Sequence, residues 1–333
     1  MGVYRFLAAR LLLVVPTLLI LLTAVFILLR AIGDPITAMV GMRVPPQVLQ
    51  QMREQAGLTA PLWLQYIRYL AGIFRGDFGV TMAVDHRPVL AVIQERFPAT
   101  LELTLGAFLM SLLLGIALGS LAAWRGKNMD SGVRLFGIVS YALFIPWLGL
   151  TLQLLFGVYL RILPTGLRAD PGLSPPTLTG LYTLDSLLAG RPDMLLSALR
   201  HLLLPSLTLG LVLSGAFTRL VRNNLKEMLA QDFALAYRAR GVDGLRLWTH
   251  ALKNALIPII TLAGLQFAIL LTGAILTETT FSWPGLGTMI VERIQYTDYT
   301  AVQGAIVFFA IFVVFVNALV DVIYALADPR VSY

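Results

Sequence analysis

Cysteine is absent from the 333-residue chain, which excludes disulfides, thiolate metal sites and a cysteine nucleophile together. Histidine is scarce: His86, His201 and His250 stand in different loops or span ends, without the His-x3-His or His-Glu-x2-His spacing of a metal site. No segment follows the Gly-x4-Gly-Lys-Ser/Thr pattern that wraps nucleotide phosphates, so any ATP chemistry belongs to another chain. There is no Gly-x-Ser-x-Gly elbow, and an intramembrane hydrolase would also need a base paired to its nucleophile. Charge is thin as well. Asp, Glu, Lys and Arg make up 13% of the residues, about half the ~25% usual in soluble domains.

Apolar residues fill the space that charge leaves. They are 58% of the chain, with a mean hydropathy of +0.80. Six stretches are long and apolar enough to cross a hydrocarbon layer of about 30 Å, which takes roughly 20 helical residues: Leu11–Leu29, Ala99–Trp124, Val133–Leu160, Leu202–Val221, Leu256–Thr277 and Gln303–Ala327. A membrane barrel would need alternating ten-residue segments, which are missing, so the expected fold is an all-α integral membrane bundle of six transmembrane helices. The first stretch follows Arg5 and Arg10 like a signal peptide, but it is too long for one and no convincing cleavage site follows, so it reads as a retained helix.

An even number of spans puts both termini on one side. Thirteen basic residues lie on that side: Arg5, Arg10, Arg125, Lys127, Arg134, Arg219, Arg222, Lys226, Arg238, Arg240, Arg246, Lys253 and Arg330. Five lie opposite in the shorter segments: Arg161, Arg168, Arg191, Arg200 and Arg293. The positive-inside rule therefore puts the N and C termini in the cytoplasm. The net charge of +7 is accounted for by this asymmetry and by anionic lipid, and no clustered basic and aromatic stripe supports a nucleic-acid partner.

The long first loop is predicted to hold two extracytoplasmic helices. Pro45 to Ala56, closed by Gly57, is one, and a second begins at Pro61. Leu62, Trp63, Tyr66, Ile67, Tyr69, Leu70, Ile73 and Phe74 give the second an apolar face, which must rest on the membrane surface or on protein. It reads as an interfacial helix, or else as a gate or receptor contact. The loop from Arg161 to Arg200 carries no legible motif.

Polar groups at membrane depth are costly and so invite a functional reading. Glu102, Gln266, Glu278 and Asp321 qualify, with Asn317 one turn before Asp321. Each is either a satisfied helix end or interhelical hydrogen bond, or a contact on a translocation pathway. Pro16, Pro146, Pro205 and Pro258 lie inside the predicted spans and can kink them. Pro146 and its neighbour Trp147 join the candidate pathway or gate.

The cytoplasmic segment from Asp232 to Pro258 is more specific. Asp232 is expected to cap a helix Phe233–Arg240, Gly241 to end it in the left-handed conformation, and Asp243 to cap a second helix running into the next span. Such a rigid hairpin can carry force from a soluble partner into the membrane. It can also simply rest on anionic lipid.

At these residues the chain resembles the inner-membrane permease subunits of ATP-binding-cassette importers of the dipeptide and oligopeptide type. Their coupling loop has the form Glu-Ala-Ala-x3-Gly followed by an aliphatic-Pro pair, and the matching residues here are Leu235, Ala236, Tyr237, Gly241, Ile257 and Pro258. Leu235 and Tyr237 depart from Glu and Ala. Further matches cover nearly the whole chain: Gly33-Asp34-Pro35, Gly57-Leu58, Pro61, Gln65-Tyr66, Gly76-Asp77-Phe78-Gly79, Ala99-Thr100-Leu101-Glu102-Leu103, Thr277 to Gly287 with its signature turn Trp283, Pro284, Gly285 and Gly287, Asp298-Tyr299, Val302-Gln303-Gly304 and Asp328-Pro329-Arg330. The family usually has proline near Phe144, where this chain has Pro146.

The resemblance implies a multi-pass protein of the bacterial inner membrane with no cofactor of its own, ATP and Mg2+ being held by partner subunits. Its partners would be a second homologous permease, two ATPase subunits, an extracytoplasmic peptide-binding protein and membrane lipid. It divides the chain into 1–98, the first span and long loop, and 99–331, a five-helix permease core with the coupling loop at 222–256. Asp232, Leu235, Ala236, Tyr237, Ala239, Gly241, Asp243 and Pro258 become the ATPase-docking candidates. Di- or oligopeptides lead as cargo, with nickel chelates, glutathione and oligosaccharides as alternatives. An ion-driven secondary transporter would need internal repeats and a carboxylate relay, and Asp321 is isolated; a membrane scaffold is a third possibility.

Overall fold

The apolar stretches become helices because a backbone in lipid must satisfy its own hydrogen bonds. The computed structural model describes residues 2–32, 36, 45–55, 57–82, 86–124 and 127–327. Gly33-Asp34-Pro35, Ala56, Arg125 and Asp328-Pro329-Arg330 lie outside the described residues, as do the side chains of Arg5, Arg10, Met52, Lys127 and Ile257. In chain order the helices are α1 (Gly2–Ile32), α2 (Pro46–Gln55), α3 (Leu62–Phe74), α4 (Val89–Trp124), α5 (Lys127–Ala142), α6 (Ile145–Leu152), which continues as a wider π-type turn (Gln153–Tyr159), α7 (Tyr182–Leu188), α8 (Pro192–Ala230), α9 (Asp232–Ala239), α10 (Gly244–Thr280), α11 (Leu286–Gln295) and α12 (Tyr299–Ala327). Among the described residues the only β pairing is a bridge between Val80 and Pro88.

Three helical stretches, Val89–Trp124, Pro192–Ala230 and Tyr299–Val322, are individually long and apolar enough to span a membrane; two bent pairs raise the number to as many as five, and Leu12–Leu28 is a shorter apolar stretch. Several expected boundaries change. The second helix starts at Val89 rather than Ala99 and runs through Pro98. The fourth extends from Pro192 to Ala230, well beyond Leu202–Val221. The expected third span, Val133–Leu160, is two helical pieces meeting at 105°. Pro146 does not kink a continuous helix there. It occupies the first turn of α6, after an extended Phe144, where a missing N–H removes no helical bond.

Small residues let α4 and α8 approach. Ala107, Ser111, Gly115 and Gly119 recur every fourth residue on the buried face of α4, an arrangement suited to membrane helices that must pack by close approach. A Cβ on Gly106 would meet Ser206, one on Gly210 would meet Met110, one on Gly115 would lie 2.2 Å from Phe217 Cβ, and one on Gly119 would meet Val221. Residue numbers rise together along these pairs, so α4 and α8 run parallel. Numbers oppose along Gly215 with Ser140 and Arg222 with Asp130, so α5 is antiparallel to α8. They also oppose from Glu278 with Thr100, through Phe267 with Phe108, to Gly244 with Trp124, which sets α10 antiparallel to α4 over its whole length. α12 follows α4 in parallel, with Gly304 against Val89 and Phe308 against Phe97.

The close approach makes a quantitative expectation. Overpacking a tight contact costs about 1–3 kcal/mol, so Gly115→Val is expected to lower the thermal midpoint measured in detergent. Gly132 in α5 has nothing within 4 Å of a Cβ, and Gly132→Ala is expected to hold or raise that midpoint. Equal midpoints for wild type and Gly115→Val would contradict the packing described.

Candidate functional site

Glu102, Glu278 and the signature turn gather at one end of the bundle, the docking candidates at the other, and the rest are dispersed. At one end, Glu278 closes the last turns of α10 and the signature turn folds around its carboxylate. Oε1 accepts a 2.6 Å hydrogen bond from Thr100 Oγ1, and Oε2 accepts one of 3.0 Å from Thr288 N. Thr100 Oγ1 in turn accepts from Leu286 N at 2.7 Å. The glycines follow from this geometry. A Cβ on Gly285 would sit 2.3 Å from Glu278 Cδ, and one on Gly287 would lie 2.7 Å from Ile275 Cα and 2.8 Å from Glu278 Oε2. Trp283, 1% exposed, donates its indole N–H to Ala99 O at 2.8 Å. Pro284, half-buried, stands between the buried indole and these glycines.

Glu102 lies one helical turn beyond Ala99 and is buried with Arg168, at 5% and 7% exposure. Arg168 Nη2 bonds Glu102 Oε2 and donates to Gly180 O at 2.9 Å. The other carboxylate oxygen accepts from Thr183 N at 2.7 Å and Thr183 Oγ1 at 2.8 Å. The guanidinium also lies 3.8 Å from the Tyr182 ring centroid and 5.6 Å from that of Trp283. One ion pair thus ties α4, the loop before α7 and the signature turn together. Arg168, a loop charge by sequence, is an interior group, and the loop from Arg161 to Arg200 contributes more than its sequence suggests. Leu167 N donates to Phe281 O at 3.2 Å, and Gly166 passes so near that a Cβ would lie 2.6 Å from the same oxygen.

Asp185 organises the same loop. Its carboxylate accepts from Leu178 N, Thr179 N, Thr179 Oγ1 and Gly180 N at 2.7–3.2 Å. Burial favours its neutral form, but these donors outweigh burial and hold the carboxyl below its ordinary value. The remaining pathway candidates are dispersed. Trp147 is 57% exposed next to half-buried Pro146; Gln266 is buried, Asn317 exposed and Asp321 half-buried.

At the other end, α9 and α10 form a helical hairpin. Asp232 does not cap α9: Gln231 holds the N-cap position without a side-chain bond, and Asp232 stands in the first turn, where its charge favours the helix N-terminus. Gly241 has φ +67°, with Gly241 N to Arg238 O at 3.0 Å and Val242 N to Tyr237 O at 3.0 Å. These paired bonds are a Schellman ending, which satisfies carbonyls left open by the last helical turn. Asp243 stands at the N-cap of α10 but makes no side-chain capping bond. Tyr237 stacks on His250 with centroids 5.2 Å apart, and Gly244 sits against the Trp124 indole. Ala251, Ala255 and Ile259 bury against Phe217, Val221 and Leu225 of α8, while Pro258 is exposed. Leu235 and Leu245 remain 65% and 66% exposed on either side of the turn, and Ala236 and Ala239 are exposed beside Leu235.

Two measurements test the buried polar groups. Removing one partner of a buried ion pair costs about 3–5 kcal/mol because the other charge is stranded. Arg168→Met is therefore expected to lower the thermal midpoint more than Arg168→Met combined with Glu102→Gln, since the amide oxygen introduced by Glu102→Gln can still accept from Thr183. Additive effects in that double-mutant cycle would refute the coupling. For Asp185, the stabilisation is fully present above the ordinary Asp value of about 3.9 and fades as pH falls through the lower folded-state value. The destabilisation by Asp185→Asn should therefore be largest near neutral pH and shrink below about pH 4; a loss that stays constant across that range would argue against a bound carboxylate.

The sequence also matches known proteins over both of its parts. Residues 115–333 match the family model described as binding-protein-dependent transport system inner membrane component, and residues 3–104 match the corresponding N-terminal family. The chain is 44% identical over 303 residues, 90% of its length and 89% of the relative's, to the probable D,D-dipeptide transport system permease protein DdpB of Escherichia coli K12. It is 39% identical over 332 residues, 98% of each, to the di/tripeptide transport system permease protein DppB of Pseudomonas aeruginosa. With the glutathione transport system permease protein GsiC of Salmonella paratyphi A it shares 34% identity over 97% of each chain. A match over both parts of the chain, together with several long apolar helices, makes it a multi-pass bacterial protein: it belongs to the inner membrane components of binding-protein-dependent transport systems.

Proposed function

We propose that this chain is one permease subunit of an ATP-driven importer of di- and oligopeptides. It would pair with a second, similar permease, receive cargo from an extracytoplasmic binding protein and be driven by two separate ATPase subunits. The peptide assignment draws support from the relatives named for dipeptide and di/tripeptide transport, at 44% and 39% identity. Glutathione, named for the GsiC relative at 34%, is the alternative that the more similar dipeptide relatives do not favour.

The orientation argument rests on helix directions. The parallel run of α4 and α8 requires the chain to return across the bilayer between them, so the bent α5–α6 pair reads as a broken span rather than a re-entrant loop. α10 then returns antiparallel and α12 parallel to α4. With α1 added, the chain makes six crossings and both termini lie on the side rich in arginine and lysine, which the positive-inside rule assigns to the cytoplasm. The amphipathic α3 would lie on the opposite surface, with Trp63, Ile67 and Phe74 exposed towards lipid headgroups.

The observation that carries the docking assignment is the hairpin around Gly241. It presents the exposed side chains of Leu235 and Leu245 on a surface that should otherwise be polar, and α10 continues from it without interruption into the bundle. An ATPase pair that moves the hairpin would move the inner half of α10 and the α8 face packed on it. Trp147 and the apolar residues exposed around the α5–α6 bend are candidates for the pathway or the second permease. Glu102 and Glu278 would act from inside the chain by holding the outer junction rigid. Neither ATP nor loaded receptor can do more than favour one of two arrangements of such a bundle.

Co-purification from the native membrane tests the assembly, with two ATPase chains and a second permease expected to accompany this one. Gly241→Arg or Ala239→Trp should leave the chain inserted and stably expressed but abolish ATP-coupled uptake of radiolabelled dipeptide. Gly241→Asn, which tolerates the left-handed backbone better than Arg, should retain part of the activity. Normal uptake by a well-expressed Gly241→Arg chain would sink the coupling assignment.

A further inference from the structure

Where the start of α5 meets the last turns of α8, a cavity of about 250 Å³ is lined by Val133, Arg134, Ile138, Thr218, Arg219, Arg222 and Asn223. One carboxylate serves the whole cluster. Asp130 takes two bonds from Arg222, one of them 2.7 Å from Nη2, and also faces Lys226 at 3.0 Å and Arg134 at 3.7 Å. With Arg219 the cluster holds four cations against one anion, a local charge of +3. Arg219 is placed at the cavity by its approach to the Tyr141 ring, 5.9 Å from the centroid. A second, independent feature points to a ligand. Thr218 is 1% exposed, lines the cavity, and its hydroxyl has no hydrogen-bond partner, an unmet buried donor that an arriving acceptor would satisfy.

The missing component is an anion with several acceptor oxygens, able to meet two guanidinium groups and a hydroxyl at once. A phosphate has this chemistry. Its source is suggested by what lies beside the cavity. Leu135, Ile138, Val139 and Tyr141 expose 62%, 63%, 46% and 66% of their surface along α5, so an apolar track leads away from the basic end. Basic pockets between membrane helices at the cytoplasmic surface suit anionic lipid headgroups. We propose that this cavity seats the phosphate of an anionic phospholipid, with an acyl chain lying along the exposed face of α5. Such a lipid clamps α5, the inner limb of the bent span, to the segment of α8 that leads into the α9 hairpin.

The test is lipid retention by the full-length chain, purified in mild detergent and observed by native mass spectrometry after titration with phosphatidylglycerol or phosphatidylcholine. The chain should retain one phosphatidylglycerol in preference to phosphatidylcholine. Arg134→Gln with Arg219→Gln should weaken that retention roughly thirtyfold, the loss expected when two basic groups leave an anionic surface. Thr218→Val, which removes a hydroxyl that no protein group uses, should weaken it several-fold with the thermal midpoint intact. Equal retention of the two lipids, or retention unchanged in both variants, would overturn the proposal. Displacement of the lipid by an equal concentration of inorganic phosphate would overturn it too, because the site would then hold a free anion.

Discussion

Lipid tails are as apolar as leucine, so the hydrophobic effect that assembles a soluble core does little to hold membrane helices to one another, and close packing and buried polar bonds must do it. In this chain the buried carboxylate of Glu278 is the bond on which most else depends. It joins the end of α10 to Thr100 of α4 and to the N–H of Thr288 in α11. Gly285 and Gly287 let the backbone close around it. The indole of Trp283 and the Glu102–Arg168 pair then extend the same junction to the loop before α7. A polar centre this satisfied is costly to rearrange, so this end of the bundle is its fixed point.

At the opposite end Asp130 ties α5 to α8 through Arg222 and Lys226, but the α9–α10 hairpin is held differently. There the contacts are apolar and local: Tyr237 on His250, Gly244 on Trp124, and the alanines of α10 on α8. No buried ion pair ties the α9 hairpin to its neighbours among the described residues. A helix anchored at one end by hydrogen bonds and at the other by van der Waals contact can pivot with little loss, because sliding apolar surfaces forfeits no partnered polar group. The 105° break between α5 and α6 lies between these ends and leaves one limb packed near Arg219 and Arg222 and the other near Phe281.

Much of this is legible in the sequence, and the reasons differ from place to place. Composition implies a membrane protein, with 58% apolar residues, and the long unbroken apolar runs, without the ten-residue alternation of a barrel, imply the helical class. The Gly241 ending is legible because a positive φ is a local property that glycine advertises. The signature turn is recognisable by resemblance, but its cause, two glycines closing on a carboxylate, is a contact between segments that no pattern of spacing reveals. Asp232 misleads because a residue that can cap a helix and one that merely stands in its first turn look alike in sequence. Pro146 misleads for a related reason, since proline breaks a helix or begins one according to where its missing N–H falls.

Arg168 and Asp185 escape a reading of the sequence for a deeper reason. Both sit in a stretch with balanced charge and no periodicity, and their partners, Glu102 and the turn at Leu178–Gly180, are contributed by the fold. Loop charges normally count as signals of topology, and by sequence Arg168 counts so; once buried it contributes nothing to orientation and everything to the junction. Arg293, which faces Asp298 at 3.5 Å, is likewise engaged inside the fold. Buried ion pairs of this kind carry no net charge, and Arg222, bound to Asp130, is withdrawn from the opposite end of the bundle in the same way, so a count of loop cations taken from sequence overstates both sides.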